Sequence, residues 1–95
     1  MELKELRDIY NQNRNITSLD LKNRNFNDSH NIFKELEKFK ELIDVDLHGN
    51  NIENVPSDMS RLLRLRALDI TNNPFVNVSY QSHYTPLFIY IYLLI

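Results

Sequence analysis

Four aspartates carry the densest chemistry in this chain: Asp20, Asp44, Asp46 and Asp69, with Lys22, His48, Arg66 and Thr71 close by in sequence. Three of them sit between large aliphatic residues, in Leu19-Asp20-Leu21, Val45-Asp46-Leu47 and Leu68-Asp69-Ile70. Apolar–polar–apolar alternation marks a strand with one buried face. On neighbouring strands about 4.8 Å apart, Asp20, Asp46 and Asp69 form one column of carboxylates with Asp44 beside it. Like charges in register destabilise a sheet unless solvent or a cation relieves them. Two readings follow. In one, the column is an acidic patch that receives lysine or arginine from a protein partner. The partner-binding residues are then Asp20, Lys22, Asp44, Asp46, His48, Arg66, Asp69 and Thr71, and charge reversal at Asp46 and Asp69 weakens the partner without unfolding the chain. In the other, the charges are only solvated.

Other chemistries find less to work with. A Ca²⁺ or Mg²⁺ site gathers several oxygens from a loop, and a flat strand face splays them. His30, His48 and His83 stand at no zinc-ligand spacing. Gly49 is the only glycine, so there is no phosphate-cradling loop. Asp44 and His48 offer a pairing, yet no nucleophile, base and orienting group assemble around it. The expectation is a protein with no catalytic residues, no metal and no cofactor. With net charge −2 and no basic stripe, nucleic acid is not an expected partner either.

The elements that position the aspartates come from a recurring frame, L-x-x-L-x-L-x-x-N-x-L. It fits Leu42, Val45, Leu47, Asn50 and Ile52. It fits again 23 residues later at Leu65, Leu68, Ile70, Asn73 and Phe75, and 26 residues earlier at Ile16, Leu19, Leu21 and Phe26. A period in the twenties with this spacing predicts a solenoid, in which stacked copies bury an apolar edge that no copy buries alone. The asparagines have a separate task. After each strand the chain turns sharply, and a buried amide offers the donors and the acceptor that the turned backbone needs. Asn50 and Asn73 are expected to stack as a short amide ladder. Arg24 fills that slot in the first copy, and the reading is that this end of the ladder opens to solvent.

Residues 2–13 read as an amphipathic helix with Leu3, Leu6, Ile9 and Tyr10 on one face. It stands where an N-terminal cap belongs, with a docking helix for a partner as the alternative. Asp28 or Ser29 caps a second helix, whose apolar stripe is Ile32, Phe33, Leu36 and Phe39. Lys34, Glu35, Glu37, Lys38, Lys40 and Glu41 are expected on its outer face, with Lys34–Lys38 and Glu37–Glu41 at helical spacing. Val55-Pro56, Met59 and Leu62 form the return of the second copy. Residues 84–95 carry no charge, and the apolar run from Leu87 has nine residues, short of the ~20 that span a bilayer as a helix. This segment has three readings: a fourth copy entered through Phe88, Ile91 and Leu93; a C-terminal cap begun by Thr85-Pro86; or an end not shaped by the solenoid. As an exposed strand it would invite self-association.

The frame resembles the leucine-rich repeat family in its intracellular, 23-residue form, over about residues 16–75. The second copy, from Leu42 to Arg64, is similar from end to end. The resemblance implies an α/β fold: a short right-handed solenoid with a parallel concave sheet, a helical or irregular convex side and an N-terminal capping helix. It implies one domain over 1–95, with a cap at 2–13, repeats at 16–41, 42–64 and 65–87, and a partial fourth strand or cap at 88–95. Members of the family serve as scaffolds in small GTPase signalling, phosphatase regulators, axonemal dynein light chains and splicing-associated adaptors. The implied function is a non-catalytic protein-interaction module that binds on the concave strands. The alternative is a regulatory subunit or membrane-proximal adaptor acting through the apolar C-terminus. The absence of cysteine and of an apolar leader at Met1-Glu2-Leu3-Lys4-Glu5 points to the cytoplasm.

Overall fold

The computed structural model describes residues 2–26, 29–55, 61–74, 77–78 and 90–92. In chain order these form α1 (Leu3–Gln12), β1 (Ser18–Asp20), α2 (Ser29–Leu36), β2 (Asp44–Asp46), β3 (Asn54–Val55), β4 (Ala67–Asp69), β5 (Asn77–Val78) and β6 (Tyr90–Tyr92). The chain is a small mixed α/β protein. Its main sheet is parallel, in the order β1-β2-β4-β6, and β3 pairs with β5 in a second parallel sheet. Parallel neighbours need a crossover between them. The first crossover carries α2, and the described part of the second carries β3.

Each apolar–Asp–apolar triplet supplies two residues of a strand, and the register is set by its buried member. Leu19, Val45, Leu68 and Ile91 are partners across the sheet. Asp20, Asp46, Asp69 and Tyr92 form the next row. A slip of one residue would turn Val45 outward and Asp46 into the core, so the apolar pattern excludes it. Behind the sheet, Leu21, Leu47 and Ile70 are buried, as are Phe26 and Ile52. Leu42 and Leu65 close the N-terminal side of β2 and β4, both essentially inaccessible.

The first helix lays Leu6 fully into this core, with Leu3, Ile9 and Tyr10 packed against it. Its N-terminus is held by the Glu2 N–H, which donates to Glu5 Oε2 at 2.8 Å. The Tyr10 ring meets the edge of Phe39 at 5.2 Å and 83°, a favoured aromatic geometry.

Two expectations for the second helix are corrected. Glu35 does not lie on the outer face but is 8% exposed. Arg7 Nε reaches it from α1 at 2.9 Å, and Lys38 Nζ at 3.0 Å. The Lys34–Lys38 and Glu37–Glu41 spacing also does not operate, because α2 ends at Leu36. The chain then unwinds through tighter bonds, Lys38 N–H to Glu35 O and Phe39 N–H to Leu36 O, that end the helical spacing. Phe39 is still buried, reached by a turn instead of a helix. The charges it leaves behind pair as Lys38–Glu35 and Arg64–Glu41.

Glu35 gives the acid limb of stability. Burial pushes its carboxyl up, but the hydrogen bonds and positive charges of Lys38 and Arg7 together outweigh it and the group lies below its ordinary value. A carboxylate depressed in the folded state stabilises above its unfolded value and loses that contribution as pH falls through the folded one. We therefore expect Glu35→Gln to flatten the drop in unfolding free energy below about pH 5, measured by urea titrations across pH. An unchanged slope would remove Glu35 as the anchor of α1.

Asp28, Pro56, Met59, Phe75 and residues 79–89 and 93–95, which carry other expectations of the sequence, lie outside the described residues. Among the described residues, no helix is long and apolar enough to cross a membrane.

Candidate interaction face

After β1, β2 and β4 the backbone turns through left-handed conformations, and the residue types that tolerate them stand there. Asn23 and Asn72 have φ of 54° and 55°, and Gly49, at the matching position of the middle turn, has 66°. Asn25 and Asn51 repeat the device two residues on, at 55° and 61°. Outside glycine, asparagine is among the residues most enriched in this region. The third turn has Pro74 at the equivalent place, whose ring keeps φ negative, so this turn leaves on a different path. The spacing 23, 49, 72 is the sequence signal for this pattern.

Between these left-handed residues the amides stack. Asn50 is fully buried. Its Oδ1 accepts the Arg24 N–H at 2.7 Å, and its Nδ2 donates to Leu21 O at 2.6 Å and His48 O at 3.3 Å. One copy on, Asn73 Oδ1 accepts the N–H groups of Asn50 and Ile52, both at 2.8 Å. Its Nδ2 donates to Leu47 O, Ile70 O and Thr71 O, each at 3.0 Å. Each amide thus ties its own turn to the turn before it. Arg24 meets this ladder through its backbone N–H, and the residue is exposed.

The ladder and the register together fix the outer face of the sheet. Asp20, Asp46 and Asp69 do line up, but they are not idle charges. Each carboxylate bends along its own strand to accept the backbone N–H two residues on. Asp20 Oδ1 takes Lys22 N at 3.2 Å, Asp46 Oδ1 takes His48 N at 3.0 Å and Asp69 Oδ1 takes Thr71 N at 3.0 Å. These are Asx turns. They explain why the column is tolerated: one oxygen of each carboxylate is neutralised locally by a peptide dipole. The signal in the sequence is an Asp at the end of β1, β2 and β4 with a turn directly after it.

The remaining site residues fall around this row. Lys22 Nζ pairs with Asp20 Oδ2 at 3.1 Å, both groups well exposed. The hydrogen bond with Lys22 holds the Asp20 carboxyl below its ordinary value, and the same bond raises the Lys22 amine. Asp44 accepts the Ser18 hydroxyl at 2.6 Å, and His48 Nδ1 meets Thr71 Oγ1 at 2.6 Å. The suggested Asp44–His48 pairing does not form. Asp44 begins β2 and His48 lies in the turn after it, and each finds a hydroxyl instead, Ser18 on β1 and Thr71 just after β4. Arg66 is exposed at the N-terminal side of β4, its N–H on Ile43 O at 2.7 Å. Asp44, Val45, Asp46, Ala67 and Asp69 line a shallow hollow of about 390 Å³. No group of three or more His, Cys, Asp or Glu side chains among the described residues is arranged to hold a metal ion.

Compared with known proteins, the chain matches no family profile, no curated protein and no solved structure.

Proposed function

We propose that this chain is a short leucine-rich-repeat solenoid that works as a non-catalytic protein-interaction module. Its binding surface is the outer, concave face of the β1-β2-β4 strands, and its partner is an extended protein segment bearing lysine or arginine. The in-register row Asp20, Asp46 and Asp69 over the hollow carries this reading. Each of those carboxylates has one oxygen on a backbone N–H; Asp46 and Asp69 leave the other to face a cation, and that of Asp20 is held by Lys22. The offsets of 26 and 23 residues between paired strands, and the Asn50–Asn73 ladder, support the repeat assignment. A cytoplasmic location fits a chain without cysteine.

The alternative seat is the apolar C-terminal run. Its residues Tyr90–Tyr92 pair with β4 as a fourth strand, which supports a role inside the fold, or in self-association at the outer edge of β6, over one as a membrane-proximal anchor.

Charge reversal is a poor test of the face, because Asp46 and Asp69 also close turns. The pair Asp46→Asn and Asp69→Asn keeps the turn acceptors and removes only the charge. We expect the double variant to bind a blocked peptide of alternating lysine and valine about 2- to 30-fold more weakly at low salt, read by fluorescence anisotropy. Its unfolding free energy should stay within about 1 kcal/mol of the parent. Undiminished peptide binding would rule out the acidic row as the contact.

A further inference from the structure

The hydrogen bonds around His48 decide which of its ring nitrogens carries the proton. Thr71 Oγ1 has one proton, and it donates that proton to Asp69 Oδ1 at 2.7 Å. Toward His48, Thr71 therefore offers only a lone pair. The 2.6 Å contact to His48 Nδ1 is then an N–H donated by the ring. Neutral His48 is the Nδ1–H tautomer, and its Nε2 is a lone pair. Among the described residues Nε2 has no hydrogen-bond partner. No buried side-chain nitrogen or oxygen there is left unsatisfied, so an unpartnered Nε2 must reach solvent. The ring is thus held by the Thr71 hydroxyl just after β4, itself fixed by Asp69, and presents one acceptor outward.

We infer that His48 Nε2 is the acceptor through which this face takes an N–H from the partner's lysine or arginine, with Asp69 and Thr71 as positioning residues for the ring. This rests on the acidic-face reading above. It divides the candidate site in two. Asp69 Oδ1 and Thr71 Oγ1 are spent on holding the ring, while Asp69 Oδ2 stays on the face as a charge and His48 Nε2 meets the partner. The charged groups around the ring fit a cationic guest. Asp46 lies on the same strand and accepts the His48 N–H. Asp69 stands behind Thr71 on β4. On the β1 side Lys22 is held by Asp20.

The experiment uses the full chain with ¹⁵N in its histidines, and His48→Gln assigns the signals. At about pH 8, long-range proton–nitrogen spectra of the free chain should show the Nδ1–H tautomer at His48. Thr71→Ser should keep it, and Thr71→Val should lose it. The blocked lysine–valine peptide should then bind His48→Leu, which keeps most of the bulk but offers no acceptor, about two- to fivefold more weakly than the parent at the same pH. His48→Gln, whose side-chain oxygen can accept, should lose less. An Nε2–H tautomer in the parent, or undiminished peptide binding by His48→Leu, overturns the proposal and leaves the acidic face standing. A peptide that does not bind the parent removes the face reading and the proposal with it, whatever the tautomer.

Discussion

Asn50→Leu should lower the unfolding free energy by about 3–5 kcal/mol, read from urea denaturation followed by circular dichroism. Leucine keeps the branched heavy-atom skeleton of asparagine but with larger methyl groups, so the change removes every hydrogen bond of the amide and adds a smaller overpacking cost. The amide serves the Arg24 N–H, Leu21 O and His48 O. Two of these belong to the preceding turn, and Leu21 O is reached in the buried interior. Each buried polar group left without a partner costs about 1–3 kcal/mol. Natural domains of this size hold roughly 5–14 kcal/mol in total, so the loss is a large share of what keeps the chain folded. Asn50→Asp is the informative companion. It keeps an acceptor for Arg24 but loses both donors and adds a buried charge, so it should be no better than leucine. A change under about 1 kcal/mol for Asn50→Leu would mean that water replaces the amide and the ladder does not join the copies.

Leu47→Ala is the second large effect, expected at about 4–5 kcal/mol, the upper part of the range for such truncations. The cost of a truncation depends on how far its surroundings can collapse. Here they are pinned. The Leu47 N–H is on Asp69 O at 2.7 Å, and its carbonyl takes Asn73 Nδ2 at 3.0 Å. Leu21 and Ile70, its equivalents on either side, are equally fixed, through Asn50 and Asn73. The lost methyl groups therefore leave a cavity that the backbone cannot close. Ile43→Ala is the control: Ile43 is 39% exposed and should lose no more than about 0.5 kcal/mol. Equal losses at the two positions, measured in the same denaturant series, would count against a pinned core behind the sheet.

Both effects involve residues whose roles follow from spacing alone. Leu19, Val45 and Leu68 are inward, and Asp20, Asp46 and Asp69 outward, because alternation with one buried face allows no other register. The amide positions at 50 and 73 follow from the same frame. Local turn chemistry was legible as well, though less directly. The left-handed residues at 23, 49 and 72, and the Asx turns that end each strand, depend on side chains bonding to a backbone two residues away. A short stretch of sequence encodes such a contact.

What the sequence did not contain are contacts between residues far apart along the chain. Glu35 reads as one more charge on a solvated helix, and it becomes a buried anchor only because Arg7 arrives from α1, 28 residues away. The second helix stops at Leu36 although the apolar spacing continues to Phe39, because a turn buries that ring as well as a further turn of helix would. His48, Thr71 and Asp69 are each ordinary polar residues at or just past the end of a strand, yet the pairing of β2 with β4 brings them together to orient one imidazole. The sequence by itself determined which side chains face in, since hydrophobic burial depends on residue type and local period alone. Only the tertiary structure decided what the outward charges do, because a hydrogen bond needs its partner within about 3 Å, and packing alone brings distant partners that close.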